Sequence, residues 1–131
     1  MKNILLVDDN EFLLSVIVKW INLQLPDYRI LIAFNGRDGL EILKQNSVDL
    51  IMTDLHMPVM DGFKFIEKKN DICPGIPVMV MTSDYSDEVM IRLKAMGVME
   101  CMEKPFKFES LVGRLLEVMH ADQGSREVVT V

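Results

Sequence analysis

Five short runs of continuous apolar residues, each followed by a segment of helical length, set the tightest limit on how this chain folds. The runs are NILLV (3–7), YRILIAF (28–34), DLIMT (49–53), IPVMVMT (76–82) and VMECM (98–102). The segments after them are EFLLSVIVKWINLQL (11–25), GRDGLEILKQN (36–46), GFKFIEKKN (62–70), SDEVMIRLKAM (86–96) and FESLVGRLLEVMH (108–120). A strand that is apolar along its whole length is buried on both faces. The alternation therefore predicts a parallel sheet covered by helices on both sides, a doubly wound α/β domain of (βα)5 type. It occupies residues 1–120, and ADQGSREVVTV (121–131), which lacks a helical period, is expected to be a flexible tail or docking extension.

Bulk properties narrow the function. The 131 residues suffice for one core and leave no room for a second. A net charge of −6 with no basic patch argues against a nucleic-acid surface. Apolar stretches are broken well before membrane-spanning length, and the acidic pair after MKNILLV excludes a secretory signal. Cys73 and Cys101 match no metal spacing and read as reduced cytoplasmic thiols. Adaptable core filler accounts for most of the eleven methionines.

In a doubly wound sheet, functional groups gather at the carboxyl ends of the strands. Here those ends carry Asp8 and Asp9, Asp54, Thr82 and Ser83, and Lys104 with Pro105. At about 5 Å and an effective dielectric near 20, each pair of carboxylates repels by roughly 3 kcal/mol. A hard divalent ion with oxygen ligands relieves that repulsion, and Mg²⁺ commonly combines one or two carboxylates with phosphate oxygens. With a lysine and a hydroxyl added, the set suits a phosphoryl group on Asp54, since an aspartate can form an acyl phosphate. Taken singly, each residue has an ordinary use: Asp8 or Asp9 could cap the first helix, Thr82 or Ser83 the fourth, and Lys104 could be a solvated charge.

Four segments in order, LLVDDN, DLIMTDLHMPVMDG, VMVMTSD and MEKPF, resemble a receiver domain of the two-component response-regulator family, of the chemotaxis-regulator type, over about residues 3–120. The resemblance implies a flavodoxin-like sheet in strand order 2-1-3-4-5. It implies that Asp54 accepts a phosphoryl group from a phosphohistidine of a sensor histidine kinase or histidine phosphotransfer protein. Mg²⁺, or Mn²⁺ in its place, would be held by Asp9, Asp8, Asp54 and the backbone carbonyl of His56, whose side chain is expected to face solvent. Thr82 and Lys104 would contact the phosphoryl oxygens, with Ser83 small enough to leave them space. Pro58 and Gly62 would shape the loop after Asp54, Gly62 by adopting a backbone geometry other residues avoid. The bond before Pro105 would be cis. The implied protein is a cytoplasmic single-domain switch that catalyses its own phosphorylation and dephosphorylation and is otherwise no enzyme. It would be a monomer or a phosphorylation-dependent dimer, signalling to a protein partner through the fourth helix, fifth strand and fifth helix.

Two features depart from that pattern or exceed it. Receivers of this family usually place an aromatic ring three residues before the site lysine; here that position is Cys101, so output is expected through Met96, Met99 and Met102 or through the fourth helix. The first helix confines Glu11, Ser15, Lys19 and Asn22 to one stripe, with apolar residues and Trp20 around the rest. It is either buried deeply between the sheet and a neighbour or shows a partner an apolar patch. Two competing functions remain. A small-molecule phosphatase would carry a second acid two residues after its nucleophile, where this chain has His56. A receiver fold could also serve as a binding module without phosphorylation.

Overall fold

Each continuous apolar run forms a strand, and each segment after it a helix. The structure, a computed structural model, describes residues 1–130, with side chains described through His120. The elements are β1 (Lys2–Val7), α1 (Glu11–Gln24), β2 (Tyr28–Ala33), α2 (Gly36–Gln45), β3 (Leu50–Thr53), α3 (Gly62–Ile72), β4 (Val78–Thr82), α4 (Asp87–Ala95), β5 (Glu100–Glu103) and α5 (Phe108–Thr130). The tail expected over 121–131 falls where side chains lie outside the described residues, and α5 as recorded extends beyond its expected end at 120. Four helices start on a side-chain cap: Asn10, Asn35, Asp61 and Ser86 accept from the backbone N–H of Leu13, Asp38, Lys64 and Val89. Each cap satisfies a donor that the first helical turn leaves free. The caps are thus not Asp8, Asp9, Thr82 or Ser83, which leaves those four side chains for other work.

All strand pairs are parallel, in the order β2-β1-β3-β4-β5. Alternate residues divide the core in two. Ile4, Leu6, Met52, Met79, Met81 and Met102 face α1 and α5, while Leu5, Val7, Ile51, Val78 and Val80 face the side holding Leu40, Phe65 and Leu93. Four of the methionines thus fill one face of the sheet, as gap-filling side chains do. No helix among the described residues is long and apolar enough to cross a membrane.

Helix α1 combines the two readings of its sequence. Leu14, Ile17 and Ile21 are fully buried, and Leu13 and Val18 pack partly against the same core. Phe12 and Leu23 stand 78% and 75% exposed, so the apolar surface is shared between the core and solvent. Trp20 packs beside Phe108 with ring centroids 6.1 Å apart.

Candidate functional site

Register brings the acids together. Because β1 and β3 are neighbours with Val7 opposite Thr53, the residues just beyond them, Asp8 and Asp54, are adjacent; the Asp54 N–H donates to the Val7 carbonyl at 2.9 Å. Oxygen atoms of Asp8, Asp9 and Asp54 lie within 4.8 Å of one another. Asp8 is fully buried, Asp54 is 9% exposed and Asp9 is exposed. Lys104 follows β5 and is docked by its own N–H on the Thr82 carbonyl at 2.8 Å. From there its ammonium reaches past the end of β4 to Asp54 Oδ2 at 3.1 Å, beyond β3, and to Asp8 Oδ2 at 2.8 Å, beyond β1. Burial opposes the charged lysine, but the hydrogen bond and charge of Asp8, joined by Asp54, outweigh it and raise the pKa. Three carboxylates face one ammonium, so the cluster keeps an excess of negative charge.

The remaining contacts orient the carboxylates. Asp54 Oδ1 accepts the Leu55 N–H at 2.7 Å, and Asp8 Oδ1 accepts the Asn10 N–H at 2.9 Å. Thr82 is fully buried, and its hydroxyl oxygen accepts the Asp84 N–H at 3.0 Å. The His56 side chain is 61% exposed and faces Asp84 across the rim, Nε2 to Oδ2 at 3.4 Å. Ser83 is exposed, on the wall of a cleft of about 440 Å³ formed with Leu13, Lys104, Pro105, Phe106 and Phe108. The Lys104–Pro105 peptide is cis.

The loop after Asp54 corrects one expectation. Gly62 does not have a positive φ; among the described residues the glycine that does is Gly97, at 85°. Gly62 is needed for closeness instead. A Cβ there would run into the Asp54 carbonyl and the Leu55 backbone, and the Gly62 N–H closes the loop on the Leu55 carbonyl at 2.7 Å. The loop's positive φ belongs to Val59, at 69°, between Pro58 and Met60.

Cys101 is half-buried, and its thiol is pushed up to about 11, first by burial, then by the Glu100 charge, with Arg114 opposing. Sequence reasoning passed over Tyr85, whose hydroxyl reaches the Cys101 carbonyl at 3.4 Å. Its only linear signal is an aromatic residue between the site threonine and the cap of α4. It also passed over Lys69, buried to 3% exposure on the core-facing stripe of α3 with Phe65 and Ile66.

The family described as Response regulator receiver domain matches residues 4–116 of this chain. The hybrid signal transduction histidine kinase D of Dictyostelium discoideum is 30% identical over 122 residues, covering 88% of this chain and 7% of the kinase. The transcriptional regulatory protein GlrR of Escherichia coli (strain K12) is 31% identical over 109 residues, covering 83% of this chain and 24% of GlrR. The chain thus spans less than a quarter of the length of either curated relative. Among solved structures, the chemotaxis response regulator CheY4 of Vibrio cholerae superposes with a TM-score of 0.81 at 30% identity, covering 90% of this chain and 98% of that one.

Proposed function

The chain belongs to the response regulator receiver domain family, and from that premise we propose that it is a phosphorylation switch in which Asp54 takes a phosphoryl group from a phosphohistidine. The observation that carries this reading is the reach of Lys104 across the sheet edge to both Asp8 and Asp54, beside a cluster of three carboxylates.

The residues divide the work as follows. The Leu55 N–H holds one oxygen of Asp54 and Lys104 the other, so the carboxylate is oriented before a donor arrives. An Asp54 oxygen forms the new bond to phosphorus while the donor's phosphorus–nitrogen bond breaks. The departing imidazole nitrogen keeps the bonding pair and takes a proton from solvent. Lys104 then donates to a phosphoryl oxygen instead of to two carboxylates. Thr82 donates to another, because its contact with Asp84 uses the oxygen as acceptor and leaves the hydroxyl proton free. The oxygen-only, negatively charged donor set fits a hard divalent cation, with Asp8, Asp9, Asp54 and the His56 carbonyl as its holders. When bound, Mg²⁺ (or Mn²⁺) supplies charge neutralisation at the phosphoryl oxygens.

The donor is a histidine kinase or a histidine phosphotransfer protein, and the apolar cleft beside Lys104 gives its docking helix a place to rest. The product is a changed protein contact at α4, β5 and α5, where Ile91 on α4 is exposed with Tyr85 just before α4 and Met99 just before β5, on a monomer or a phosphorylation-dependent dimer. Two unpaired cysteines support a cytoplasmic setting. A differential interaction of about 2.7 kcal/mol between the two conformational states would move their ratio roughly a hundredfold.

Intact mass after treatment with Mg²⁺ and acetyl phosphate, beside Asp54→Asn, tests the reading. One phosphoryl adduct on the wild type, absent from the variant and from samples with chelator, is the expected result. No adduct on either protein would leave the chain a receiver fold that works as a binding module.

A further inference from the structure

Cys101 has no ring to carry a signal from Thr82 to the surface, yet an aromatic side chain from a neighbouring loop reaches its backbone. Tyr85, three residues beyond Thr82 in the β4–α4 loop, donates its hydroxyl to the Cys101 carbonyl at 3.4 Å. The same carbonyl accepts from the Arg114 guanidinium of α5 at 3.4 Å, so loop, strand and helix meet on one oxygen. The other end of the loop is tied to the site, where the Asp84 N–H rests on the Thr82 hydroxyl at 3.0 Å. Thr82 cannot shift toward a phosphoryl group on Asp54 and keep that bond unchanged. Asp84 is bonded to Thr82 on one side and joined by the chain to Tyr85 on the other. An open cleft of about 310 Å³, lined by Tyr85, Phe106, Lys107 and Arg114 among others, lies beside the ring and gives it somewhere to move.

We propose that Tyr85 is the relay of this receiver, a latch closed on the Cys101 carbonyl while Asp54 is unmodified and opened when Thr82 turns to the phosphoryl group. The latch rests on the reading of Asp54 as phosphoacceptor. Tyr85 is 44% exposed, so its movement changes the surface that a partner meets at α4 and β5. Coupling is reciprocal. A partner that draws Tyr85 off Cys101 would favour phosphorylation of Asp54, and weakening the latch would do the same.

The chain has two tyrosines, and the other, Tyr28, lies on β2 at the opposite edge of the sheet. This makes 3-fluorotyrosine labelling selective, with Tyr85→Phe assigning the two signals. Mg²⁺ with beryllofluoride, a phosphoryl mimic, is the probe. As the site fills, the Tyr85 resonance should move and that of Tyr28 should stay. Tyr85→Phe, which removes one exposed neutral hydrogen bond, should bind beryllofluoride about two- to fivefold more tightly. A Tyr85 resonance unmoved at saturation, or a variant that binds equally or more weakly, overturns the latch and leaves the phosphoacceptor reading intact. Failure of the wild type to bind the probe at all overturns both.

Discussion

Val59 holds a backbone that β-branched residues avoid. Its φ is 69°, the Met60 N–H closes on the Pro58 carbonyl at 2.7 Å around it, and the residue is 72% exposed. Strain of about 1–3 kcal/mol is usual at such positions, and little packing would be lost by removing the side chain. Glycine returns about 0.5–1 kcal/mol of that to the unfolded chain's entropy. Val59→Gly should therefore stabilise the fold by about 1 kcal/mol in urea unfolding and leave the amount of Asp54 adduct unchanged; a lower midpoint would count against the strain. The residues around it differ in how far the sequence betrays them. Asp8, Asp54 and Lys104 stand at strand ends, where position alone marks them. Val59 stands in a loop, and nothing in the letters PVM indicates the sign of φ. Gly62 was legible as a glycine the loop requires, but for the wrong reason, because a clash with the Asp54 backbone exists only once the loop has closed.

Among the elements, α3 carries an internal conflict. Its buried face runs Phe65, Ile66, Lys69, so a cation occupies a slot suited to an aliphatic side chain. The ammonium bonds only to Asn70 Oδ1 at 3.1 Å and the Pro74 carbonyl at 3.3 Å, with no carboxylate partner among the described residues. Burial lowers its pKa, and Cys73 opposes the shift where its thiol is ionised, which burial pushes to higher pH. A lysine whose folded pKa lies below 10.5 destabilises the fold while charged. That penalty is present at neutral pH and disappears as pH rises toward the unfolded value. Lys69→Met should accordingly raise the unfolding free energy at pH 7 by about 1 kcal/mol, with the advantage shrinking toward pH 10. Urea unfolding at both pH values checks the magnitude and its pH dependence. Helix α1 shows how far pattern reading goes at this scale. The existence of the helix and its narrow polar stripe were plain, but which apolar residues meet the core depended on the angle at which it lies on the sheet. Leu14 and Phe12 are equally apolar in the sequence, and one is buried while the other is bare.

At the scale of the molecule, the acid cluster is a source of instability that a ligand can relieve. Asp8 and Asp54 are both withdrawn from solvent with one lysine between them. Any ligand that binds the folded chain alone stabilises it by mass action, by about 2.7 kcal/mol at a hundredfold excess over Kd. Mg²⁺ with beryllofluoride should therefore raise the urea midpoint, a chelator should return it to the starting value, and Asp54→Asn should abolish the gain from beryllofluoride. An unchanged wild-type midpoint at saturating ligand would contradict a preformed site.

By itself the sequence determined the fold class, the five strand–helix units and the residues standing at the strand ends, because burial and period are local properties of each segment. It could not say which face of the sheet each strand residue occupies, since a run that is apolar at every position carries no alternation. Strand order then decided what local pattern could not. Placing β3 and β4 between β1 and β5 lets Lys104 meet Asp8 across 96 residues of chain and Asp54 across 50. The same tertiary closure set Tyr85 against the Cys101 carbonyl and buried Lys69. These contacts depend on how elements pack in space, which no stretch of the chain encodes alone.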